Sequence, residues 1–146
     1  MGRRAAVSIV RVGVRGIHHV GVVVANLDEA VETYSRLFGG ELERREWLEQ
    51  DGVEVAAMRV GDGLVELVAP VGDDTSVGRF LEKRGPGMHH VAYAVDDVAG
   101  ELESLTGAGA QLIDEEPRMG LFGLQVAFVH PDSDHGVLVE VVSNAG

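Results

Sequence analysis

The sequence predicts an α+β fold in which two tandem βαβββ modules form one cupped mixed sheet around a cleft. The main observation is a repeat, because Gly16-Ile-His18-His19-Val20 returns as Gly87-Met-His89-His90-Val91. Each copy is followed by a helical pattern and then by short strand-like segments, the last of which contains Val65-Glu66 or Val139-Glu140. A single four-stranded module curls without closing, so two copies side by side are expected to share a core and leave a cleft.

The first module is predicted to span residues 16–70. Residues 16–24 are β-branched and almost wholly apolar, which is typical of a buried strand. A helix is predicted between the start signals Asn26 and Asp28 and the stop at Gly39-Gly40, because apolar residues recur there at helical spacing. Three strands separated by glycine-containing turns complete the module, at 42–49, 53–60 and 64–68.

The second module is predicted to span residues 87–143 and to repeat this order. A strand covers Met88 to Val95, and a helix runs from about Asp97 to Thr106. Short strands follow near 111–115, 124–129 and 137–142, and residues 117–123 are predicted to be flexible.

A linking helix over residues 75–84 joins the modules, with Thr75 or Ser76 as its cap and Gly85-Pro86-Gly87 as its stop. The modules and this helix are predicted to form a single domain, 16–146. An N-terminal extension, 1–15, precedes it and contains four arginines but no long apolar core.

Composition excludes several classes of function. The chain has 146 residues and a formal net charge of −12, which argues against a nucleic-acid partner and against an anionic membrane surface. No apolar run is long enough to span a bilayer. The chain contains no cysteine, so it has no disulfide, thiolate ligand or cysteine nucleophile, and we expect a cytoplasmic protein.

The repeat delivers one His-His pair and one glutamate from each module to the predicted cleft. Glu66 and Glu140 stand inside apolar strands, where an unpaired carboxylate is costly to bury. Imidazole and carboxylate together are good ligands for divalent transition metals, so the pattern predicts a shared metal site. Strand alternation places the two histidines of a pair on opposite faces and does not choose between them. His130 and His135 are interpreted as loop residues.

The chain resembles the vicinal-oxygen-chelate superfamily and, within it, the methylmalonyl-CoA epimerases. The resemblance covers about residues 16–143. Its specific segments are Ile17-His-His-Val-Gly, Asp74-Thr-Ser-Val-Gly-Arg-Phe-Leu, Gly85-Pro-Gly-Met-His-His-Val-Ala, Asp114-Glu-Glu-Pro-Arg-Met-Gly, Phe128-Val-His-Pro and Gly136-Val-Leu-Val-Glu-Val.

The resemblance selects the second histidine of each pair, so the implied metal ligands are His19, Glu66, His90 and Glu140. It implies one divalent metal ion per site, with cobalt favoured over manganese, nickel or zinc. It also implies an acyl-CoA substrate and a homodimer.

The implied reaction interconverts (2R)- and (2S)-methylmalonyl-CoA by proton transfer at C2 through a metal-stabilised enolate. Glu140 is the first choice for an acid–base residue, and Glu66 is a candidate for the second. Many epimerases carry a glutamate three residues after the glycine of the second-strand turn, where this chain has Val55. Glu54 beside it should point to the opposite face, which leaves Glu66, Glu49 or a metal-bound water for that role. Arg118 and the Arg79–Arg84 segment are candidate contacts for CoA.

The main alternative is a lyase of the glyoxalase I type, which would use the same metal ligands on a glutathione hemithioacetal. The segments around 74–80 and 114–120 favour the epimerase. An extradiol dioxygenase would need only two histidines and one glutamate, and a metal-free ligand-sequestering protein would need none of the four predicted ligands.

Overall fold

A computed structural model describes residues 13–72 and 74–143 of the chain. Within these residues the chain forms eight strands: β1 Val14–Val23, β2 Glu41–Leu48, β3 Val53–Val60, β4 Gly63–Pro70, β5 Gly87–Val95, β6 Arg118–Met119, β7 Gln125–Val129 and β8 Val139–Ser143. The α-helices of the same residues are α1 Leu27–Phe38, α2 Ser76–Arg84 and α3 Val98–Gly107. Short 3-10 helices lie at Glu49–Asp51, Leu121–Gly123 and Pro131–Asp134.

All eight strands belong to one mixed sheet in the order β2-β3-β4-β1-β5-β8-β7-β6. The order of the second four strands mirrors that of the first four, as two copies of one module related by a pseudo-two-fold axis require. Strands β1 and β5 are antiparallel and form the seam between the copies, and each pairs in parallel with the last strand of its own copy. The predicted α+β fold with two βαβββ modules is confirmed, and the sheet curls into a half-barrel.

Each helix begins at the polar residue that the sequence provides for it. Asn26, Thr75 and Asp97 are the N-caps, and the side chain of each accepts a hydrogen bond from the backbone N–H three residues later. No helix in the described ranges is long and apolar enough to cross a membrane.

The two faces of the sheet have different roles. On the convex face, α1 packs its residues Leu27 and Ala30 against Met58 and Leu67 of the first module. In the second module, α3 covers the equivalent face through Val98 and Leu102, together with Val95, Ala127 and Val141. The concave face is therefore the one left to form the cleft.

Two predicted boundaries differ from the structure. Strand β1 begins at Val14, two residues before its predicted start, while residues 1–12 of the predicted N-terminal extension lie outside the described residues. The strand predicted near 111–115 is wrong, because only an isolated bridge between Leu112 and Val129 forms there. The Asp114 carboxylate accepts the Phe128 N–H at 2.8 Å, and this contact takes the place of a strand pairing. The edge strand β6 lies instead within 117–123.

Candidate metal centre

The four predicted ligands lie on four neighbouring strands at the middle of the sheet. His19 is on β1 and His90 on β5, on either side of the seam, and Glu66 on β4 and Glu140 on β8 flank them. Gly21 pairs with both Glu66 and His90, and by the same pattern Ala92 pairs with both His19 and Glu140. In each copy a small residue, Gly21 or Ala92, thus lies between two of the predicted ligands.

The side chains of three of these residues meet at one point. The Nε2 atoms of His19 and His90 lie 3.1 Å apart. Glu140 Oε1 lies 3.2 Å from the first nitrogen and 3.3 Å from the second. Two ligands bound at about 2.1 Å to one metal are themselves roughly 3.0–3.4 Å apart. The donor set of two imidazoles and a carboxylate therefore fits a divalent cation, and these three residues form a candidate metal site.

Glu66 lies at the edge of this group. Its Oε1 is 3.3 Å from His19 Nε2, but it falls outside the set of His19, His90 and Glu140, whose ligand atoms all lie within 4.8 Å of one another. It stands beside the three-residue cluster and also lines the cleft.

Burial makes the four groups interact strongly. Their exposed fractions are 3% for His19, 4% for Glu66, 6% for His90 and 8% for Glu140. Burial alone would raise the pKa of Glu140, but hydrogen bonds from His19 and His90 outweigh it and lower this pKa to about 2. Burial raises the pKa of Glu66, and the charge of Glu140 adds to that effect. Burial lowers the pKa of His19, but the hydrogen bond to Glu140 and the charges of both carboxylates raise it overall.

The His90 ring lies directly against Gly21. A Cβ atom added to Gly21 would overlap the His90 imidazole, with Nε2 only 2.7 Å away. The ring thus occupies the space that a side chain at position 21 would fill.

The other two histidines of the repeat, His18 and His89, contact the first pair. Strand alternation did not predict these contacts, because it places consecutive side chains on opposite faces. His18 Nδ1 lies 2.8 Å from His19 Nδ1, and His89 Nδ1 lies 2.9 Å from His90 Nδ1. Burial lowers the pKa of His18, and it lowers that of His89 to about 4. The doubling of histidine in both copies was the visible signal, but the strand irregularity that brings the two rings together could not be deduced from it.

The cluster borders a cleft of about 710 Å³ on the concave face. Its wall includes Glu66, His89, His90 and Glu140. Among the basic residues suggested as CoA contacts, Arg79 and Arg118 line the cleft. Arg118 also lies 3.4 Å from Asp114 and 3.7 Å from Asp51, so the basic wall is paired with acidic groups.

The position where many epimerases carry a second glutamate is apolar here. Val55 is fully buried on β3 and lines the cleft. The expectation for Glu54 is confirmed, because its carboxylate accepts a hydrogen bond from Arg45 at 3.1 Å and it does not line the cleft. Glu49 does line the cleft and remains available there.

The two remaining histidines are not part of the cluster. His130 caps the 3-10 helix Pro131–Asp134, accepting the Asp132 N–H, and His135 follows that helix with a positive φ of 55°. Their interpretation as loop residues is confirmed.

Comparisons with known proteins identify chains that are similar in sequence and in fold. The sequence model described as the glyoxalase/bleomycin resistance protein/dioxygenase superfamily matches residues 18–128. The mitochondrial methylmalonyl-CoA epimerase of Dictyostelium discoideum is 31% identical over 132 residues, which cover 90% of this chain and 80% of that protein.

Solved structures are similar over nearly the whole chain. The methylmalonyl-CoA epimerase of Mycobacterium tuberculosis has a TM-score of 0.89 and 33% identity, covering 94% of this chain and 93% of that one. A variant of the Streptomyces coelicolor methylmalonyl-CoA epimerase in complex with 2-nitronate-propionyl-CoA has a TM-score of 0.87 and 33% identity, covering 91% and 99% of the two chains.

Proposed function

This chain belongs to the glyoxalase/bleomycin resistance protein/dioxygenase superfamily, and from that premise we propose that it is a metal-dependent methylmalonyl-CoA epimerase. The reaction would interconvert the (2R) and (2S) forms of methylmalonyl-CoA by removing and returning the proton at C2. The observation that carries the proposal is the meeting of His19, His90 and Glu140 beside an open cleft, in a chain with several relatives named for this activity.

The metal would be held by His19, His90 and Glu140, with Glu66 as a fourth candidate ligand. Two imidazoles and one or two carboxylates suit cobalt, manganese, nickel or zinc, and cobalt is our first choice. A divalent cation at this point supplies positive charge beside the thioester oxygen, where negative charge develops when C2 loses its proton.

Glu66 and Glu140 are the proposed acid–base residues. Breaking the C2–H bond leaves its electron pair to delocalise into the thioester carbonyl, and return of a proton to the opposite face re-forms the bond with inverted configuration. Glu66 lies outside the three-residue cluster and contacts His19 but not His90, so its carboxylate is the freer of the two to exchange a proton. Because burial raises the pKa of Glu66, it also holds a proton more readily than Glu140 does. Val55 has no ionisable group and so cannot act as an acid or a base.

The substrate is proposed to be a small acyl-CoA molecule. The cleft volume of about 710 Å³ accommodates the acyl end and part of the CoA chain, and the guanidinium groups of Arg79 and Arg118 offer charge for CoA phosphates. A homodimer in the cytoplasm is part of the same proposal. Light scattering of the purified protein tests the dimer.

The test is solvent-deuterium exchange into methylmalonyl-CoA, followed by mass spectrometry. We expect the purified protein to incorporate one deuterium at C2, to lose this activity when it is stripped of metal, and to regain it with cobalt or manganese. A metal-loaded protein that incorporates no deuterium would contradict the proposal.

A lyase of the glyoxalase I type is not favoured, since several relatives that match over most of the chain are named methylmalonyl-CoA epimerases. A glutathione hemithioacetal is the control substrate in the same assay, and we expect no turnover of it.

A further inference from the structure

The Nδ1 atom of each histidine in the candidate metal centre contacts the histidine that precedes it in the chain. These contacts are 2.8 Å for His18 and His19, and 2.9 Å for His89 and His90. With the Nε2 contact of 3.1 Å across the seam, the four imidazoles form one continuous chain.

Consecutive residues of a regular strand point to opposite faces, so the contacts need a local irregularity. The pairing of β1 with β5 supplies one in each copy. Ile17 pairs with Tyr93 and His19 with Ala92, which leaves His18 as an extra residue on β1. The pairing then moves from Gly21–His90 to Val22–Met88, which leaves His89 as the extra residue on β5. Each bulge redirects one side chain toward its neighbour.

Hydrogen-bond chemistry assigns the direction of these contacts when a metal is bound. A histidine that binds a cation through Nε2 carries its proton on Nδ1, so His19 and His90 must donate from Nδ1. The facing Nδ1 atoms of His18 and His89 must then accept, and these two rings carry their own protons on Nε2.

The rings of His89 and His18 both pack against other rings. The His89 ring is partly buried and makes a T-shaped contact with the Phe80 ring, with a centroid distance of 5.0 Å and an interplanar angle of 80°. His18 is also partly buried and lies edge-on to His19, at 5.1 Å between centroids.

We propose that His18 and His89 are positioning residues, each accepting the Nδ1–H of the next histidine and thereby fixing the tautomer and orientation that present Nε2 to a metal. This inference rests on the proposed metal site. Ligating histidines usually donate to a carboxylate, a backbone carbonyl or a water, and loss of such a partner costs about 10–100-fold in metal affinity. Here a neutral imidazole would take that role in both copies.

Paired substitutions separate the acceptor from the ring. His18→Phe and His89→Phe keep an aromatic ring but remove the acceptor, whereas His18→Asn and His89→Asn keep an oxygen near the Nδ1 position. We expect each Phe variant to bind cobalt about 10–100-fold more weakly in a chelator competition, and each Asn variant to recover most of that loss. His130→Asn, outside the cleft, is the control and should bind cobalt like the unmodified protein.

Nitrogen NMR of the zinc-loaded, unmodified protein gives a second readout that does not depend on how the variants fold. We expect slowly exchanging Nδ1–H signals for His19 and His90, and Nε2–H tautomers for His18 and His89. Unchanged cobalt affinity in both Phe variants, or Nδ1–H tautomers at His18 and His89, would overturn this inference and leave the metal site standing. An unmodified protein that binds no cobalt would overturn the proposed function, and this inference with it.

Discussion

The imidazole of His90 lies where a side chain on Gly21 would be. Gly21 is on β1 and His90 is its partner on β5, so the absence of a Cβ on one strand leaves room for the ring of the other. This fit sets the position of His90 Nε2 relative to His19 and Glu140.

Gly21→Ala is expected to displace His90 and to weaken metal binding. Overpacking of this kind costs about 1–3 kcal/mol of unfolding free energy, because the ring must move or the strands must separate. Thermal unfolding and cobalt titration measure the two effects. Gly107→Ala is the matched control, since a Cβ at that position meets no atom within 4 Å and should leave both properties intact. Equal behaviour of the two variants would show that Gly21 does not seat the ring.

His90→Ala should abolish both metal binding and deuterium exchange. The variant removes one of the three groups whose ligand atoms converge, and two ligands hold a divalent ion poorly. His130→Ala removes a histidine of the loop and should retain both properties, although it loses a cap of a short 3-10 helix. Full exchange activity in metal-free His90→Ala protein would refute the proposed role of the site.

The two glutamates should respond differently to replacement by glutamine. Glu140→Gln removes the carboxylate that contacts both His19 and His90, so metal affinity and turnover should fall together. Glu66 lies beside the cluster of His19, His90 and Glu140, so the Glu66→Gln protein should keep its metal. Its rate of deuterium exchange should fall by about 10²–10⁴-fold, as expected for loss of a general base. Metal content and exchange rate are measured on the same samples. A Glu66→Gln protein with normal exchange would assign the proton transfer to another group, with Glu49 the next residue to replace.

Metal binding should release protons, and its affinity should fall as the pH falls. In the metal-free protein the pKa values of both Glu66 and His19 are raised, so each holds a proton at higher pH than usual. A cation favours the deprotonated forms and must displace those protons, so binding strengthens as pH rises through these pKa values. Calorimetry at about pH 6 and about pH 8, in buffers of different ionisation enthalpy, measures the released protons. Binding that is independent of pH would contradict this expectation.

The fold could be predicted from the sequence because the two copies constrain each other. The doubled histidines fix corresponding strands, and the polar residues Asn26, Thr75 and Asp97 mark the helix starts that the structure contains. Strand edges were less predictable. Residues 111–115 have strand-like composition, but the Asp114 side chain accepts the Phe128 N–H, and a side chain that competes with backbone pairing leaves no trace in periodicity.

The site was predictable in its residue types and less so in its arrangement. Glu66 and Glu140 occupy equivalent positions in the repeat, so the pattern alone gives them equal roles. The structure places Glu140 against both His19 and His90, and Glu66 against His19 only. The bulges at His18 and His89 were also invisible, because a one-residue irregularity in pairing depends on the partner strand.

The candidate metal centre spans the seam between β1 and β5, so its residues come from both halves of the chain. Each half contributes one histidine and one glutamate, so a single half would have to associate with a copy of itself to assemble an equivalent centre. Because both halves belong to one polypeptide, equivalent positions in them can have different surroundings. The two glutamates show this, since Glu140 has a lowered pKa beside two imidazoles and Glu66 has a raised pKa beside one. Equivalent positions of the repeat thus hold two carboxylates with different acidities.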